Sequence, residues 1–312
     1  MITVLAGGVG AARFLAGLLQ VVEPGEVTAI VNVADDTVLH RLHISPDLDT
    51  VTYTLAGAIN PETGWGLIDE TWNAMATLDR YGGQTWFGLG DRDIGTHLYR
   101  TGRLADGATL SDVTSSIAES WGLSLRLLPV SDDPVRTMVT VQDVDGEARE
   151  VGFQEYFVRR RHDVPVTAVR FAGADTAAPA PGVLAAIADA DVVVIAPSNP
   201  LVSIAPVLAV PGVRAAVEAA RARVVAVSPI VAGAALKGPA DRMMRELGHE
   251  PSVVGVARLY ASLASALVID EADSTEAKAV EDEGLRPVVV PTVMSTSEIA
   301  AALARSTIGA IA

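Results

Sequence analysis

The chain opens with MITVLAGGVGAARFLAGLLQVVEPGEVTAIVNVADD, residues 1–36. Residues 2–6 are an apolar run that ends in glycines, and residues 11–20 carry apolar side chains at helical spacing. A second apolar run, residues 27–33, ends at Asp35 and Asp36. Short apolar runs of this kind are typical of strands that are buried on both faces. The stretch therefore predicts a β–loop–α–β unit, the opening of a doubly wound parallel sheet.

The carboxyl-terminal part of the chain repeats this alternation. Strands are predicted at residues 191–196, 223–228, 252–256, 266–270 and 286–290, and helices at 213–222, 239–247, 257–263, 274–283 and 296–305. Residues 47–121 look mostly helical, with helix starts at Ser45, Asp69, Asp91 and Ser111, and residues 136–153 look like a β-hairpin. We predict an α/β fold: a Rossmann-like, doubly wound, mostly parallel sheet (1–44 and 164–312) with a helical insertion and a β-hairpin (45–163).

Composition excludes several classes of protein. The chain has 312 residues, no cysteine, 23 Lys and Arg, 38 Asp and Glu, and a formal net charge of −15. Half of the residues are hydrophobic, which excludes a disordered chain, and the lack of cysteine excludes disulfides and thiolate chemistry. Nucleic-acid binding needs a basic face, so we expect no nucleic-acid partner. Without a targeting or membrane-spanning segment, we expect a cytoplasmic protein with no membrane partner.

A glycine-rich loop joins the first strand to the first helix. Gly7, Gly8, Gly10 and Ala11 would let a phosphate approach the backbone amides at the helix N-terminus. No Lys-Ser or Lys-Thr follows, so the loop is not a Walker motif, and Arg13 stands where a dinucleotide fingerprint has its third glycine. A tight turn without a ligand is the alternative. The strand–loop–helix context favours a nucleotide or diphosphate site.

Two acidic clusters follow predicted strands or begin predicted helices. Asn32, Asp35 and Asp36 come at the end of the second strand, where a carboxylate can bind a ribose hydroxyl or a metal ion, or can simply stabilise a turn. Asp47 and Asp49 are separated by one residue, so both could reach one Mg²⁺. The same two carboxylates would also stabilise the first turn of a helix, and this interpretation is somewhat favoured on residue types alone.

Two further segments could contact a ligand. Asp91 and Arg92 lie at a predicted helix start, where Arg92 could bind a phosphate or pair locally with a carboxylate. Ser198 and Asn199 lie between two prolines, directly after a predicted strand. The glycine loop and this second loop should meet at the same edge of the sheet, and that convergence is a stronger indication of a site than either motif alone.

Taken together, these motifs carry a family resemblance. The segments are LAGGVGAARFL (5–15), NVADD (32–36), SPDLDTVTYTLAG (45–57), WFGLGDRDIGTH (86–97), SDDPVRT (131–137), FQEYFVRRR (153–161), APSNPLVSIAPVLAVPGVRAA (196–216) and VVAVSPIVAGAALKGPA (224–240). In this order they resemble the CofD/FbiA family, the phospholactate or phosphoenolpyruvate transferases of coenzyme F-420 biosynthesis. The glycine loop is generic, whereas PDLDT, LGDRD and PSNP together are specific to that family.

The resemblance implies a Mg²⁺-dependent transferase. Such enzymes move a phosphoenolpyruvyl or 2-phospho-L-lactyl group from a guanosine-diphosphate-linked donor to the ribityl hydroxyl of the deazaflavin Fo, and GMP leaves. It further implies small-molecule substrates, a homodimer, and an insertion (45–163) that covers the acceptor site, where aromatic side chains cover the deazaflavin ring.

The resemblance also suggests roles for individual residues. Asp47 and Asp49 would hold the metal, and Asp49 could instead deprotonate the acceptor hydroxyl. Arg92, as a catalytic residue, and Asp91 would contact Fo or the transferred phosphate. The remaining predicted contacts are with the donor: the diphosphate at Gly7, Gly8, Gly10, Ala11 and Arg13, the nucleotide or metal at Asn32, Asp35 and Asp36, and the guanosine at Ser198 and Asn199.

Two other functions remain open at this stage. A non-catalytic nucleotide-sugar-binding regulator of the same superfamily would share the glycine loop and the turn at Asp35 and Asp36, but would lack PDLDT. A nicotinamide-dependent oxidoreductase is weakened by Arg13. Nothing in the sequence distinguishes the enolpyruvyl from the lactyl donor, and only the likeness to the actinobacterial branch favours enolpyruvyl.

Overall fold

The computed structural model describes residues 1–143 and 145–311. Its strands are β1 (Ile2–Ala6), β2 (Val27–Val31), β3 (Thr37–Leu39), β4 (Leu42–Ile44), β5 (Arg126–Pro129), β6 (Arg136–Gln142), β7 (Ala148–Gly152), β8 (Val166–Ala172), β9 (Val192–Ile195), β10 (Val224–Val227), β11 (Ile230–Val231), β12 (Ala234–Ala235), β13 (Ala266–Ile269) and β14 (Arg286–Val289).

Twelve α-helices lie among these strands in the described part of the chain. The α-helices are α1 (Gly8–Leu18), α2 (Pro46–Leu55), α3 (Asn73–Arg80), α4 (Asp91–Ala105), α5 (Leu110–Ser120), α6 (Val183–Ala188), α7 (Ala205–Ala209), α8 (Val213–Ala219), α9 (Ala240–Glu246), α10 (Val253–Tyr260), α11 (Ala277–Asp282) and α12 (Ser297–Gly309). Short 3₁₀ turns span Pro24–Glu26, Arg221–Arg223 and Glu271–Glu276, and π-helical turns span Glu155–Arg159 and Pro200–Ile204.

Seven strands form a central parallel sheet in the order β14-β13-β10-β9-β1-β2-β5. The chain builds outward from β1 through β2 to β5, and then returns to β9 on the other side of β1 and builds through β10 and β13 to β14. The strand order therefore reverses between β1 and β9. In open α/β sheets, the crevice at such a reversal is where ligands bind. The predicted α/β fold with a doubly wound parallel sheet is confirmed.

The central strands are apolar because both sheet faces are covered by helices. All residues of β1, β2, β10 and β13 are buried. The polar exception in β1 is Thr3, whose hydroxyl donates to the carbonyl oxygen of Ala186 at 2.6 Å and so avoids the cost of an unpaired buried group. On the surface of the sheet, α1 packs against α12, and Gly17 permits this contact because a Cβ there would lie 2.4 Å from the Ala300 backbone.

The middle of the chain forms smaller elements around this sheet. The predicted hairpin is confirmed as β6 and β7, and β8 extends it to a three-stranded antiparallel sheet that the sequence did not predict. The small hairpin of β3 and β4 was also not predicted. Strand β5 belongs to the central sheet, although it lies inside residues 45–163. The division into core and insertion stays a prediction, and any such division has to assign residues 126–129 to the core.

Two local predictions were wrong. Residues 252–256 form the start of helix α10 and not a strand, because the Ser252 hydroxyl accepts a hydrogen bond from the Gly255 N–H at 3.1 Å and caps the helix. Asp69 does not begin a helix, since α3 begins at Asn73. The helix starts at Ser45 and Asp91 are confirmed, and α5 begins at Leu110, one residue before the predicted start.

No single helix among the described residues is long and apolar enough to cross a membrane. The helix pair Pro200–Ala209 and Val213–Ala219 meets the requirements of length and composition only when taken together, and it is bent by 97°.

Candidate active site

A cavity of about 860 Å³ opens where the strand order reverses. Loops after four parallel strands line it at the carboxyl edge of the sheet: 7–10 after β1, 197–199 after β9, 228–229 after β10 and 292–295 after β14. The opposite wall comes from the middle of the chain, through residues of α2, of the loops that precede α3 and α4, and of the segment 153–162. The cavity is therefore shared between the predicted core and the predicted insertion.

The glycine loop lines this cavity, and different constraints require glycine at its different positions. Gly8 has a φ of 70°, a left-handed conformation that side chains disfavour. A Cβ on Gly10 would lie 2.1 Å from the carbonyl oxygen of Pro197, so only glycine lets α1 approach the loop after β9. Ala11 is fully buried beneath the loop and does not line the cavity. The N-terminus of α1 thus faces the cavity, as anion binding requires.

Asp35 and Asp47 form the acidic centre of the cavity. Both are at most 7% exposed, and Asn32 donates from Nδ2 to Oδ2 of Asp47 at 3.0 Å. Burial raises the pKa of Asp47 to about 6, although hydrogen bonds from Asn32 and from the Gly8 N–H oppose the shift. Burial and the nearby charge of Asp47 raise the pKa of Asp35 well above its ordinary value. Neither carboxylate forms an ion pair with any cation in the described part of the chain.

Asn32 supports this pair without lining the cavity itself. Its side-chain oxygen accepts from the Ala34 N–H at 2.9 Å while its amide holds Asp47, so its orientation is determined at both ends. Asp36 points away from the main cavity, into a smaller one of about 200 Å³ beside Arg136. It accepts a hydrogen bond from the Ser45 hydroxyl at 2.7 Å, and burial raises its pKa to about 7.

Asp49 lies on the same helix as Asp47 but does not reach the cavity. The Arg100 guanidinium pairs with both of its carboxylate oxygens, Nη1 with Oδ2 at 3.1 Å and Nη2 with Oδ1. Arg100 is only 2% exposed, so this is a buried ion pair that fixes α2 to α4. The two predicted metal ligands therefore face different surroundings.

A second group of potential metal ligands includes Asp49. Oxygens of Asp49 and Asp93 and a ring nitrogen of His97 lie within 4.8 Å of one another. Asp93, however, already accepts a hydrogen bond from the Tyr53 hydroxyl at 2.7 Å, and the Arg100 cation occupies Asp49. A divalent cation fits poorly beside a buried guanidinium. Each group contains a buried atom without a hydrogen-bond partner among the described residues, Oδ1 of Asp35 and Nε2 of His97. The group at Asp35 and Asp47 fits a cation better, because no cation of the described residues pairs with either carboxylate.

Asp91 and Arg92 lie outside the cavity. Asp91 accepts hydrogen bonds from the Thr71 hydroxyl at 2.6 Å and from the Ala74 N–H at 2.9 Å, so it holds the N-terminus of α3 against that of α4. These hydrogen bonds lower the pKa of Asp91 to about 2. Arg92 donates from Nη1 to the carbonyl oxygen of Ile68 at 2.7 Å. The substrate contacts predicted for both residues stay predictions.

Ser198 and Asn199 line the cavity, where the sequence placed them. The Ser198 hydroxyl donates to the carbonyl oxygen of Gly7 at 2.8 Å and joins the two loops across the strand reversal. The Asn199 side-chain oxygen accepts from the Leu201 N–H at 2.9 Å and caps the turn that follows. The hydrogen bonds to Gly7 and Leu201 show both residues shaping the cavity, and their predicted contact with guanosine stays a prediction.

Aromatic side chains form one wall of the cavity. Phe153 stacks on Phe157 with ring centroids 5.4 Å apart and planes 19° apart, and the His162 ring lies 5.2 Å from Phe157. Trp65 and Phe87 also line the cavity. The sequence suggested that aromatic residues of the insertion could cover a flat ring, but it assigned no role to His162. A wall of this kind can stack a planar ring system.

Three cationic side chains line the same cavity: Arg13, Arg161 and Lys237. Of these, only Arg13 was predicted from the sequence. Arg161 ends the segment FQEYFVRRR, and Lys237 is one of only two lysines in the chain. The run of arginines and the rarity of lysine could have drawn attention to Arg161 and Lys237. The sequence does not show, however, which of the three consecutive arginines lines the cavity.

The family model described as 2-phospho-L-lactate transferase CofD matches residues 2–306, almost the whole chain. The chain belongs to the CofD family. It is therefore a transferase, and the resemblance of its motifs to this family is confirmed.

Curated relatives in the CofD family match over nearly their full lengths. The phosphoenolpyruvate transferase of Kitasatospora aureofaciens is 49% identical over 98% of this chain and 96% of its own. Those of Streptomyces griseus and Mycolicibacterium smegmatis are 48% and 44% identical, over 97% and 98% of this chain and 96% and 97% of their own. A crystal structure of a UPF0052 family member from Bacillus halodurans has a TM-score of 0.63 at 18% identity, over 98% of both chains, and so shares the fold.

Proposed function

We propose that this CofD-family transferase moves a phosphoenolpyruvyl group, or a 2-phospho-L-lactyl group, from a guanosine-diphosphate-linked donor to the ribityl hydroxyl of Fo. The names of the curated relatives support the enolpyruvyl donor. The observation that carries the proposal is the cavity of about 860 Å³, in which the glycine loop, a buried carboxylate pair and an aromatic wall lie together. These three surfaces suit, in the same order, a diphosphate, a divalent cation and a flat acceptor ring.

We assign the donor diphosphate to the amides around Gly8 and Gly10, with Arg13 beside them. Amides at a helix N-terminus bind phosphate oxygens without a counter-charge of their own. The guanosine would extend from there toward the loops after β9, β10 and β14, which supply polar groups such as Ser198 and Asn199. In this arrangement, the phosphorus that bears the transferred group, the one farther from the guanosine, would face the aromatic wall.

We assign Mg²⁺ to Asp35 and Asp47. Two buried carboxylates with raised pKa values, and one oxygen that has no partner among the described residues, fit a hard divalent cation. When bound, the ion would neutralise the bridging diphosphate charge. Asp49, which the sequence motif placed on the metal, is assigned here to positioning, because its ion pair with Arg100 holds the first turn of α2 and with it Asp47.

The reaction breaks one phosphorus–oxygen bond and forms another. The acceptor hydroxyl oxygen attacks the phosphorus that bears the enolpyruvyl or lactyl group, and its proton passes to water. The anhydride bond to the second phosphate breaks, and GMP leaves with the bridging oxygen. Phosphoryl transfer depends mostly on position and charge neutralisation. The aromatic wall of Phe153, Phe157 and His162 would hold the acceptor ring so that its hydroxyl points at that phosphorus.

The test is turnover with defined substrates. The protein is incubated with Fo, Mg²⁺ and each guanosine-linked donor, and GMP release and product mass are followed. We expect GMP and one new phosphodiester product with the enolpyruvyl donor. Donor binding without GMP release would instead support the alternative, a nucleotide-binding regulator of the same superfamily.

We also propose a homodimer and a cytoplasmic location. Sedimentation velocity of the same sample tests the homodimer, and fractionation of the source cells tests the location.

A further inference from the structure

The three cationic side chains that line the cavity have no protein partner among the described residues. The side chains of Arg13, Arg161 and Lys237 make no ion pair or hydrogen bond within residues 1–143 and 145–311. The chain has a net charge of −15, and several other arginines are paired with carboxylates. Unpaired cations that also line a cavity mark places for anionic parts of a ligand.

Arg161 is the most specifically placed of the three. Its neighbour Arg160 pairs with Asp143 and Glu155, at 3.2 Å in each case. Arg161, which is exposed, and His162 both line the cavity and have φ values of 52° and 43°. Glycine adopts this left-handed conformation at lower cost than any large side chain. His40 and Arg41 adopt similar φ values in the turn between β3 and β4, so it is the cavity position of Arg161 and His162 together with this backbone that points to a use for their side chains.

The segment 153–162 connects Arg161 to the acidic centre. At one end, the Gln154 amide donates to the backbone carbonyl of Asp35 at 3.1 Å. Phe153, Phe157 and His162 of the same segment form the aromatic wall. Arg161 follows Phe157 and directly precedes His162, so it lines the cavity beside the aromatic wall. In the proposed function, the transferred phosphorus lies between the acidic centre and this wall.

We propose that Arg161 binds the carboxylate of the transferred group and thereby selects a donor that bears one. This inference rests on the proposed function. A guanidinium binds a carboxylate with two parallel hydrogen bonds, which a lysine cannot reproduce. Enolpyruvyl and lactyl groups both carry the carboxylate, so Arg161 would accept either one. Arg13 is left for the diphosphate because it lies on α1 just after the glycine loop.

Lys237 has a different position and is not assigned to the carboxylate. Its Nζ lies 2.9 Å from where a Cβ on Gly64 would be, so the side chain reaches across to the loop that carries Trp65. Its neighbour Gly238 faces the Phe157 ring, since a Cβ on Gly238 would lie 3.8 Å from that ring. Lys237 thus lies where the loop that carries Trp65 approaches the segment that carries Phe157.

The experiment compares binding of two ligands by calorimetry, without Fo. GDP lacks the carboxylate and the enolpyruvyl donor carries it, and each is titrated into wild-type protein, Arg161→Gln, Arg161→Lys and Arg159→Gln. We expect Arg161→Gln to raise the ratio of donor Kd to GDP Kd by about tenfold, with GDP affinity changed less than about twofold. Arg161→Lys should raise the ratio less. Arg159→Gln removes an exposed charge from the same run of arginines outside the cavity and should leave the ratio unchanged.

A glycine variant separates this role from a structural one. Arg161→Gly suits the left-handed backbone, so we expect a melting temperature at or above that of the wild type together with the same change in the ratio. Equal weakening of GDP and donor by Arg161→Gln, or an unchanged ratio, would overturn the inference. If wild-type protein releases GMP while the ratio is unchanged in Arg161→Gln, only this inference fails. Wild-type protein that binds neither ligand overturns both proposals.

Discussion

Gly10 lies so close to Pro197 that a Cβ on residue 10 would stand 2.1 Å from the Pro197 carbonyl oxygen. This contact joins the two loops on either side of the strand reversal. We expect Gly10→Ala to lower the free energy of unfolding by about 2–3 kcal/mol, because a backbone atom cannot move aside easily. Urea unfolding measures this. Gly95→Ala in α4 is the matched control, since no described atom beyond its chain neighbours and its own helix backbone lies within 4 Å of its Cβ position. It should be stabilising, by about 1 kcal/mol.

The ion pair of Asp49 with Arg100 predicts a stability defect. Asp49→Asn would leave the buried Arg100 guanidinium without its counter-charge, and we expect unfolding free energy to fall by about 3 kcal/mol. Chemical denaturation measures the loss, and GMP release per folded molecule measures activity. Full stability combined with lost turnover would contradict the positioning role and support the catalytic role that the sequence motif suggested.

The acidic centre predicts stabilisation by metal. Saturating Mg²⁺ should raise the melting temperature of wild-type protein, equivalent to about 2–3 kcal/mol at a concentration of about 100 times Kd. Asp47→Asn should abolish this increase, because it removes one of two charged ligands. Asp69→Asn is the control: Asp69 is exposed, lies outside the cavity and has a φ of 56°, which asparagine tolerates. An equal Mg²⁺ effect in Asp47→Asn would locate the ion elsewhere.

The raised pKa of Asp47 predicts how metal-free stability depends on pH. Burial raises this pKa from the ordinary 3.8 to about 6, so the folded protein favours the protonated carboxyl. Its contribution to stability is fully present below the unfolded-state pKa and is lost as pH rises through about 6. We expect metal-free protein to lose on the order of 2 kcal/mol between about pH 4 and pH 7 from this group. The difference in unfolding free energy between wild-type protein and Asp47→Asn, measured across this pH range, isolates the contribution of Asp47. A difference that does not change with pH would refute the raised pKa.

The aromatic wall predicts an effect on the acceptor alone. Phe157→Leu removes a stacking surface but keeps an apolar side chain, and we expect KM for Fo to rise about fivefold to tenfold with KM for the donor unchanged. Tyr81→Leu serves as the control because Tyr81 is 79% exposed and does not line the cavity. Equal changes in both KM values would indicate a disturbed cavity shape instead of lost stacking.

Much of the fold was predictable because buried parallel strands leave a simple pattern. The run at Ile2–Ala6, the glycines after it and the run at Val27–Val31 identified the sheet and its ligand-binding edge. The segment 252–256 was predicted wrongly because a short apolar run fits a strand or a buried helix equally well, and only the cap at Ser252 decides. Strand β5 was not predicted, because its four residues carry no periodicity beyond the apolar triplet Leu127, Leu128 and Pro129.

The site was less predictable because its contacts join distant residues. Asp47 and Asp49 look equivalent in PDLDT, and only the partner at Arg100, fifty-one positions later, separates their surroundings. Asp35 and Asp36 are likewise adjacent, yet only Asp35 lines the cavity of about 860 Å³, whereas both line the smaller one of about 200 Å³. Side chains of neighbouring residues point in different directions, and the sequence does not say which one faces the ligand. Arg161 was missed for the same reason.

Strand β5 bears on whether the two halves of this enzyme can be exchanged as modules. It pairs with β2 from Thr28 to Val31, so the segment that supplies the aromatic wall also completes the edge of the central sheet. Excising residues 45–163 would strip that edge and leave the backbone of β2 open to self-association. A chimera that aims at a new acceptor should transplant the stretch before β5 and the stretch after it separately, with the strand itself kept in the recipient.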